Sequence, residues 1–246
     1  MRFIRGFIVL IQMIIFALGA LCIGLFIIPI SAIFLKDYNH RKFCANVVHK
    51  SWKFFTIVMQ KFGSIKVETN GDFNDIKGKV IVASHPSLID IVLLIGLIPN
   101  SLCLAKKDLL KNPVMYKIVK CLYIINDIDL EEFKEETKKA LKNDFNIIIF
   151  PTGTRTLPNE EIKMHKGAAQ IAIDADADII TITIDSDYTL LRKNHFPLDC
   201  GIKPAEFKIT RKNDIKIAEF KKEKLSEIKL RKLLSEKIKE EIFSQN

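Results

Sequence analysis

From Gly6 to Leu35 the chain carries no charged side chain, only Gln12 and Ser31 among apolar and small residues. The run is about thirty residues long, against the roughly twenty that cross a bilayer. Such a stretch belongs in lipid. It is longer than one crossing needs and shorter than two, and Pro29 interrupts helical hydrogen bonding near its end, so a span and a bent insertion into one leaflet both stay open. A cleaved signal peptide fits poorly, since the apolar run is too long and no small-x-small site leads into a polar start. A buried helix of a soluble protein rarely runs this far without caps. Arg2 and Arg5 precede the run, and Lys36, Arg41, Lys42, Lys50 and Lys53 follow it. Positive charge on both sides gives no reason to send the N-terminus across, and predicts a monotopic anchor with both flanks, and the rest of the chain, on the cytoplasmic side. Between Tyr38 and Phe62, aromatic and aliphatic residues alternate with Lys50, Lys53 and Lys61 in the manner of an interfacial helix.

After Gly63 the periodicity changes to short apolar runs separated by helical patterns. Strands are predicted at 65–69, 79–84, 101–105, 122–125, 146–150 and 178–184, with helices at 87–99, 113–120, 130–142 and 166–176. The clearest helix is Leu130 to Lys142. Asp129 and Glu132 form a capping-box pattern before it, and Leu130, Phe133, Thr137 and Leu141 share a face. Toward the C-terminus, 206–210 and 214–218 read as two strands around the turn Arg211-Lys212-Asn213. An amphipathic helix closes the chain over 226–243, with Leu230, Leu234, Ile238 and Ile242 four apart. This alternation predicts an α/β fold: a mixed, largely parallel sheet flanked by helices, with an N-terminal membrane-inserted helical segment. Residues 1–62 form the anchor and interfacial helix in this scheme, and 63–246 a single domain.

The formal charge of +9 suits either nucleic acid or an anionic membrane surface. The apolar anchor and the lack of a concentrated basic recognition helix favour the membrane and argue against nucleic acid. The five cysteines, Cys22, Cys44, Cys103, Cys121 and Cys200, show no Cys-x-x-Cys spacing. They suggest a reducing compartment and no zinc site.

The chemistry concentrates at Ser84-His85-Pro86-Ser87-Leu88-Ile89-Asp90, where a hydrophobic strand meets an apolar helix. Strand ends are where α/β folds place reactive groups. Asp90 is a lone carboxylate in an apolar helix, costly to bury without a partner, and the spacing brings His85 back over the first turn to meet it. Such a pair makes a general base. The same residues also fit a capping box, with Ser87 as cap and Asp90 reaching back. A second block follows the strand at 146–150: Phe150-Pro151-Thr152-Gly153-Thr154-Arg155-Thr156, then Met164-His165-Lys166-Gly167-Ala168 opening a helix. A hydroxyl-rich glycine turn with an arginine offers backbone donors and a guanidinium to an anion.

Together the two blocks resemble the glycerolipid acyltransferase family, whose best-known members acylate 1-acylglycerol-3-phosphate. That family carries His-x-x-x-x-Asp, matched by His85 and Asp90, and later Phe-Pro-Glu-Gly-Thr-Arg, matched by Phe150, Pro151, Gly153, Thr154 and Arg155. Lys106, Asn112 and Pro113 resemble an intervening segment, and Lys166-Gly167-Ala168 a basic helix start, with His165 where a Lys is usual. Two departures stand out: Thr152 replaces the family's Glu, and Asn126-Asp127 stands where an Arg is expected. Ser84-His85-Pro86-Ser87-Leu88-Ile89-Asp90 and Tyr123-Ile124-Ile125-Asn126-Asp127 look more like a branch found in aryl polyene and related polyketide-like lipid pathways.

The resemblance implies transfer of an acyl group from a thioester, on acyl-carrier protein or coenzyme A, to a lipid hydroxyl, with no resident cofactor or metal and no acyl-enzyme. His85 is the expected base and Asp90 its orienter. Lys106, Thr152, Gly153, Thr154 and Arg155 are the expected substrate-binding residues, with backbone N–H groups near Gly153 facing the oxyanion. A different lipid or polyene-type acceptor, or an inactive lipid-binding paralogue, are the alternatives that Thr152 and the missing Arg leave. Oligomeric state is left open.

Overall fold

The computed structural model describes residues 2–126, 129–157, 160, 162–191, 201–222 and 225–243. Asp127 and Cys200 lie outside them. The apolar run forms one long helical rod: α1 (Arg2–Cys22), a π-helical turn (Ile23–Ile27) and α2 (Ile28–Phe34), with Pro29 in the first turn of α2, where its missing N–H does least harm. α3 (Asp37–Lys61) turns back beneath it.

The strands are β1 (Ile65–Asn70), β2 (Val80–Ala83), β3 (Ser101–Ala105), β4 (Tyr123–Ile125), β5 (Asn146–Ile149), β6 (Ile179–Ser186) and β7 (Ala205–Ile215). They form one seven-stranded sheet in the order β1-β7-β6-β2-β5-β3-β4. β6, β2, β5, β3 and β4 run parallel, and β7 joins β6 antiparallel and pairs with β1 in parallel. The expected mixed, largely parallel sheet is thus the one observed. β2 and β5 are buried along their whole length, as central parallel strands covered on both faces must be.

The remaining helices are α4 (Asp90–Leu97), α5 (Tyr116–Leu122), α6 (Leu130–Lys142), α7 (Gly167–Ala175), α8 (Ile217–Lys221) and α9 (Glu227–Phe243). Asp129 caps α6 as expected, accepting from the N–H groups of Glu131 and Glu132. Three expectations shift. α4 begins at Asp90 rather than Ser87, for a reason given with the site. α5 begins at Tyr116, because a 3-10 turn (Lys107–Lys111) and Asn112, whose side chain accepts from the N–H of Val114 and of Met115, precede it. The expected C-terminal hairpin is one continuous strand, β7, followed by α8. Its residues 211–213 do not turn, because β6 holds them in register through Ile182↔Arg211, with an irregularity between Ile180 and Ile182. Arg211 is also tied to Asp75 and Asp214, at 2.7 and 3.0 Å.

α3 is more than an interfacial helix. Cys44, Val48, Trp52, Phe55 and Met59 form a buried stripe at spacings of three and four, and this stripe joins the central core. α4 approaches so closely that a Cβ at Gly96 would stand 3.0 Å from the Lys53 backbone nitrogen. The opposite face of α3 exposes Phe43, Phe54 and Ile57.

Asp178 ties the entry of β2 to the exit of β7. It accepts from Lys79 Nζ at 2.7 Å, from the Ile217 N–H at 3.1 Å and from Lys216 Nζ at 3.4 Å. Partial burial works against its charged form, but these donors outweigh it and hold the carboxyl below its ordinary value of 3.8. A depressed folded value means that the contribution is complete at neutral pH and is lost as pH falls through that value. Asp178→Asn should therefore lower stability at pH 7 by about 1–3 kcal/mol. Thermal unfolding of both proteins should show the gap closing toward pH 3.

Candidate active site

The parallel strands deliver both chemical blocks to one edge. His85 follows β2, the Phe150–Arg155 turn follows β5, and β2 pairs with β5 and β6. This is the carboxyl edge, where open α/β sheets bind ligands. β2 ends because the Ser84 side chain replaces a backbone partner: its Oγ donates to the Ile184 carbonyl at 3.2 Å and accepts the Ile184 N–H at 2.7 Å. The chain then leaves the sheet at His85.

His85 Nδ1 lies 2.9 Å from Asp90 Oδ2, and the same oxygen accepts the Ser87 N–H at 2.7 Å. That second bond is half of a capping box, so the cap reading and the catalytic reading describe one arrangement. The other half is not closed onto the Asp90 N–H: Ser87 Oγ donates to the Leu190 carbonyl at 2.9 Å and accepts the Ile89 N–H at 3.5 Å. With its carboxylate committed to His85 and Ser87, Asp90 starts the helix, and the three residues before it form the loop that wraps the pair.

Asp90 is fully buried, while the His85 side chain keeps 15% of its exposure. Burial pushes the Asp90 carboxyl upward, opposed by the His85 hydrogen bond, the His85 charge, the Ser87 N–H and the charge of Arg155. Asp90 Oδ1 has no hydrogen-bond partner among the described residues. A buried carboxylate is costly to desolvate, so its presence beside an accessible imidazole points to chemistry. Donation from Nδ1–H to the carboxylate leaves Nε2 unprotonated, able to accept a proton. The ring is held in place by Phe150, stacked at 4.1 Å with planes 17° apart. From behind, the Thr156 N–H donates to the His85 carbonyl at 2.9 Å.

The second block is a tight turn. Gly153 has φ +65°, which favours glycine, and its N–H donates to the Phe150 carbonyl at 3.0 Å. That N–H is therefore committed within the turn. Thr152 is buried, with its hydroxyl donating to the Thr154 carbonyl at 2.8 Å. Thr154 is exposed. Arg155 donates to the Leu191 carbonyl at 2.9 Å and lies close enough to Asp90 to favour its charged form. Lys106, at the end of β3, is one strand further along, and its charge acts on Asp108. It makes no described hydrogen bond to the pair.

Residues 187–191, after β6, had no part in the sequence-based site. Leu190 and Leu191 are buried, and their carbonyls receive Ser87 Oγ, the Leu88 N–H and Arg155. Tyr188 and Leu191 hold positive φ, 55° and 51°, a strained backbone of the kind found where a loop is over-determined by its contacts. Carbonyl acceptors carry no side-chain signature, so no sequence pattern marks this clasp.

Residues 64–185 match the family model described as Acyltransferase. The chain belongs to the acyltransferase family. Among relatives of this chain, a 1-acyl-sn-glycerol-3-phosphate acyltransferase of Cocos nucifera is 27% identical over 148 residues, covering 56% of this chain and 46% of that protein. A probable 1-acyl-sn-glycerol-3-phosphate acyltransferase of Mycoplasma genitalium is 29% identical over 139 residues, covering 52% of each. The chain spans about half the length of the curated relatives it matches. The crystal structure of the 1-acyl-sn-glycerophosphate acyltransferase from Thermotoga maritima superposes with a TM-score of 0.70 at 22% identity, over 97% of this chain and 96% of that one, and so shares its fold.

Proposed function

We propose that this acyltransferase moves a fatty acyl group from a thioester, on acyl-carrier protein or coenzyme A, to a hydroxyl of a lysophospholipid of the 1-acylglycerol-3-phosphate type. The observation that carries the reading is the 2.9 Å contact from an accessible His85 to a fully buried Asp90, at the sheet edge where Phe150–Arg155 emerges. His85 Nε2 takes the acceptor's hydroxyl proton as its oxygen attacks the thioester carbonyl. The new C–O bond forms, the C–S bond breaks, and the proton passes from the imidazolium to the leaving thiolate. Asp90 holds the tautomer and stabilises the imidazolium.

Arg155 binds the acceptor's anionic head group in this scheme while its other contact ties it to Leu191. Arg155→Ala should raise the acceptor's KM about tenfold or more, the worth of a charge-assisted hydrogen bond, with a smaller effect on kcat. Steady-state kinetics with varied acceptor decide it. An unchanged KM removes Arg155 from acceptor binding.

The helical rod is the membrane element. Phe3–Phe34 contains an 18-residue stretch of mean hydropathy 2.8 and is long enough to cross a bilayer. One side is docked along its length: Arg5 donates to the Gly63 and Ile202 carbonyls, Gln12 accepts from Ser64 Oγ at 2.6 Å, and Phe16 packs on Trp52 and Phe55. The other side bares Phe3, Phe7, Ile14, Leu18 and Phe26. A rod docked at both ends to a globular body favours lying in one leaflet over spanning, with the catalytic edge on the cytoplasmic side.

Thr152, whose hydroxyl is consumed inside the turn, favours a second acceptor class, a lipid or polyene-type hydroxyl lacking the glycerophosphate. Purified protein with acyl-carrier-protein and coenzyme A thioesters, offered lysophosphatidate and non-phosphorylated lipid alcohols, separates the two. Transfer to lysophosphatidate supports the first reading, transfer to the alcohols alone supports the second, and transfer to neither overturns both.

A further inference from the structure

His40, Cys44 and Cys121 meet at the foot of the helical rod, away from the acyl-transfer edge. We propose that they form a site for a thiolate-preferring divalent cation of the zinc type, which clamps α3 to α5. Nε2 of His40 and the two sulfurs all lie within 4.8 Å of one another, with His40 Nε2 3.3 Å from Cys44 Sγ. In a tetrahedral site with zinc–sulfur bonds near 2.3 Å and zinc–nitrogen bonds near 2.0 Å, sulfurs stand about 3.8 Å apart and nitrogen about 3.6 Å from sulfur. Small side-chain adjustments therefore bring all three donors onto one ion.

The donors come from two rigid elements. His40 and Cys44 are one helical turn apart on α3, and Cys121 sits in the last turn of α5. Donor chemistry excludes the hard cations: two sulfurs and an imidazole suit zinc or a softer ion and have little affinity for magnesium or calcium. His40 Nε2 now lies 3.1 Å from the Ile28 carbonyl. Binding takes the ring with its proton on Nδ1 and releases that carbonyl, which keeps the Ser31 hydroxyl at 3.0 Å. A fourth ligand enters from the cavity of about 630 Å³ that His40 and Cys121 line together with Arg41, Lys117 and Lys120. Two thiolates and a neutral imidazole bring a divalent ion to zero net charge there, the thiol protons being released as the ion binds.

The test uses full-length protein in detergent, reduced and stripped with a chelator, titrated with cobalt(II) as a coloured stand-in for zinc. One cobalt per chain is expected, with thiolate-to-metal charge-transfer absorption in the near ultraviolet and a tetrahedral visible band, both lost when zinc is added. Cys44→Ser and Cys121→Ser should each abolish the charge-transfer band, while Cys22→Ser keeps it. Alkylation followed by mass spectrometry gives a readout on the unmutated chain: zinc should slow labelling of Cys121. Thermal unfolding should shift upward with zinc for the wild type and not for the Cys121 variant. No charge-transfer band in the reduced wild type, a band surviving both serine variants, or unaltered Cys121 labelling with zinc overturns the proposal. None of these readouts depends on acyl transfer, so the site stands or falls apart from the proposed activity.

Discussion

His85→Ala is expected to cut acyl transfer by about 10²–10⁴, the usual worth of a positioned general base, with the fold retained. The ring lies against Phe150 and keeps partial exposure, so its removal leaves a surface gap and no core cavity. Asp90 loses its strongest partner but keeps the Ser87 N–H, and a buried carboxyl already pushed upward can take a proton instead of standing as an unpaired charge. Thiol release from an acyl thioester, followed with the preferred acceptor, measures the rate, and circular dichroism checks the fold. Turnover within about tenfold of the wild type would remove His85 as the base.

Asp90→Asn separates catalysis from capping. The amide has the shape of the carboxylate and its oxygen still accepts the Ser87 N–H, but without the negative charge it does not stabilise an imidazolium. If Asp90 serves the reaction, kcat falls by about 10²–10⁴. Stability stays level or rises, because a buried charge that was expensive to desolvate has gone. If Asp90 is only a helix-start residue, the amide keeps the bond to the Ser87 N–H and the rate changes little. Parallel measurement of kcat and unfolding midpoint distinguishes the outcomes.

Legibility in the sequence followed the range of the physics. Alternating apolar runs announced β1 to β6 within a residue or two, because burial on both faces of a parallel sheet leaves a local mark. The cap at Asp129 was equally local. The hairpin expected around Arg211-Lys212-Asn213 was not formed, since polar residues that favour a turn also fit a strand whose neighbour supplies the hydrogen bonds and whose charges meet Asp75 and Asp214. α3 carried lysines and aromatics that matched an interfacial helix, yet its buried stripe faces α4, a partner that local periodicity does not name.

The candidate site divides in the same way. His85, Asp90 and the Phe150–Arg155 turn could be read from residue types and spacing, because a helical turn and a glycine turn are short-range geometry. The clasp at Leu190 and Leu191 works through backbone carbonyls reached by Ser87 and Arg155, and the Phe150 stack on His85 joins residues far apart in the chain. The cysteines tell the same story: counted along the chain they show no metal spacing, while the fold sets Cys121 of α5 beside His40 and Cys44 of α3. By itself, then, the sequence determined what depends on neighbours within a few residues: the apolar rod, the parallel α/β pattern, the paired histidine and aspartate, and membership of an acyltransferase family. Only the tertiary structure decided the burial of Asp90, the accessibility of His85, the commitment of the Gly153 N–H and the docking of the rod, because each depends on which distant surfaces exclude water together.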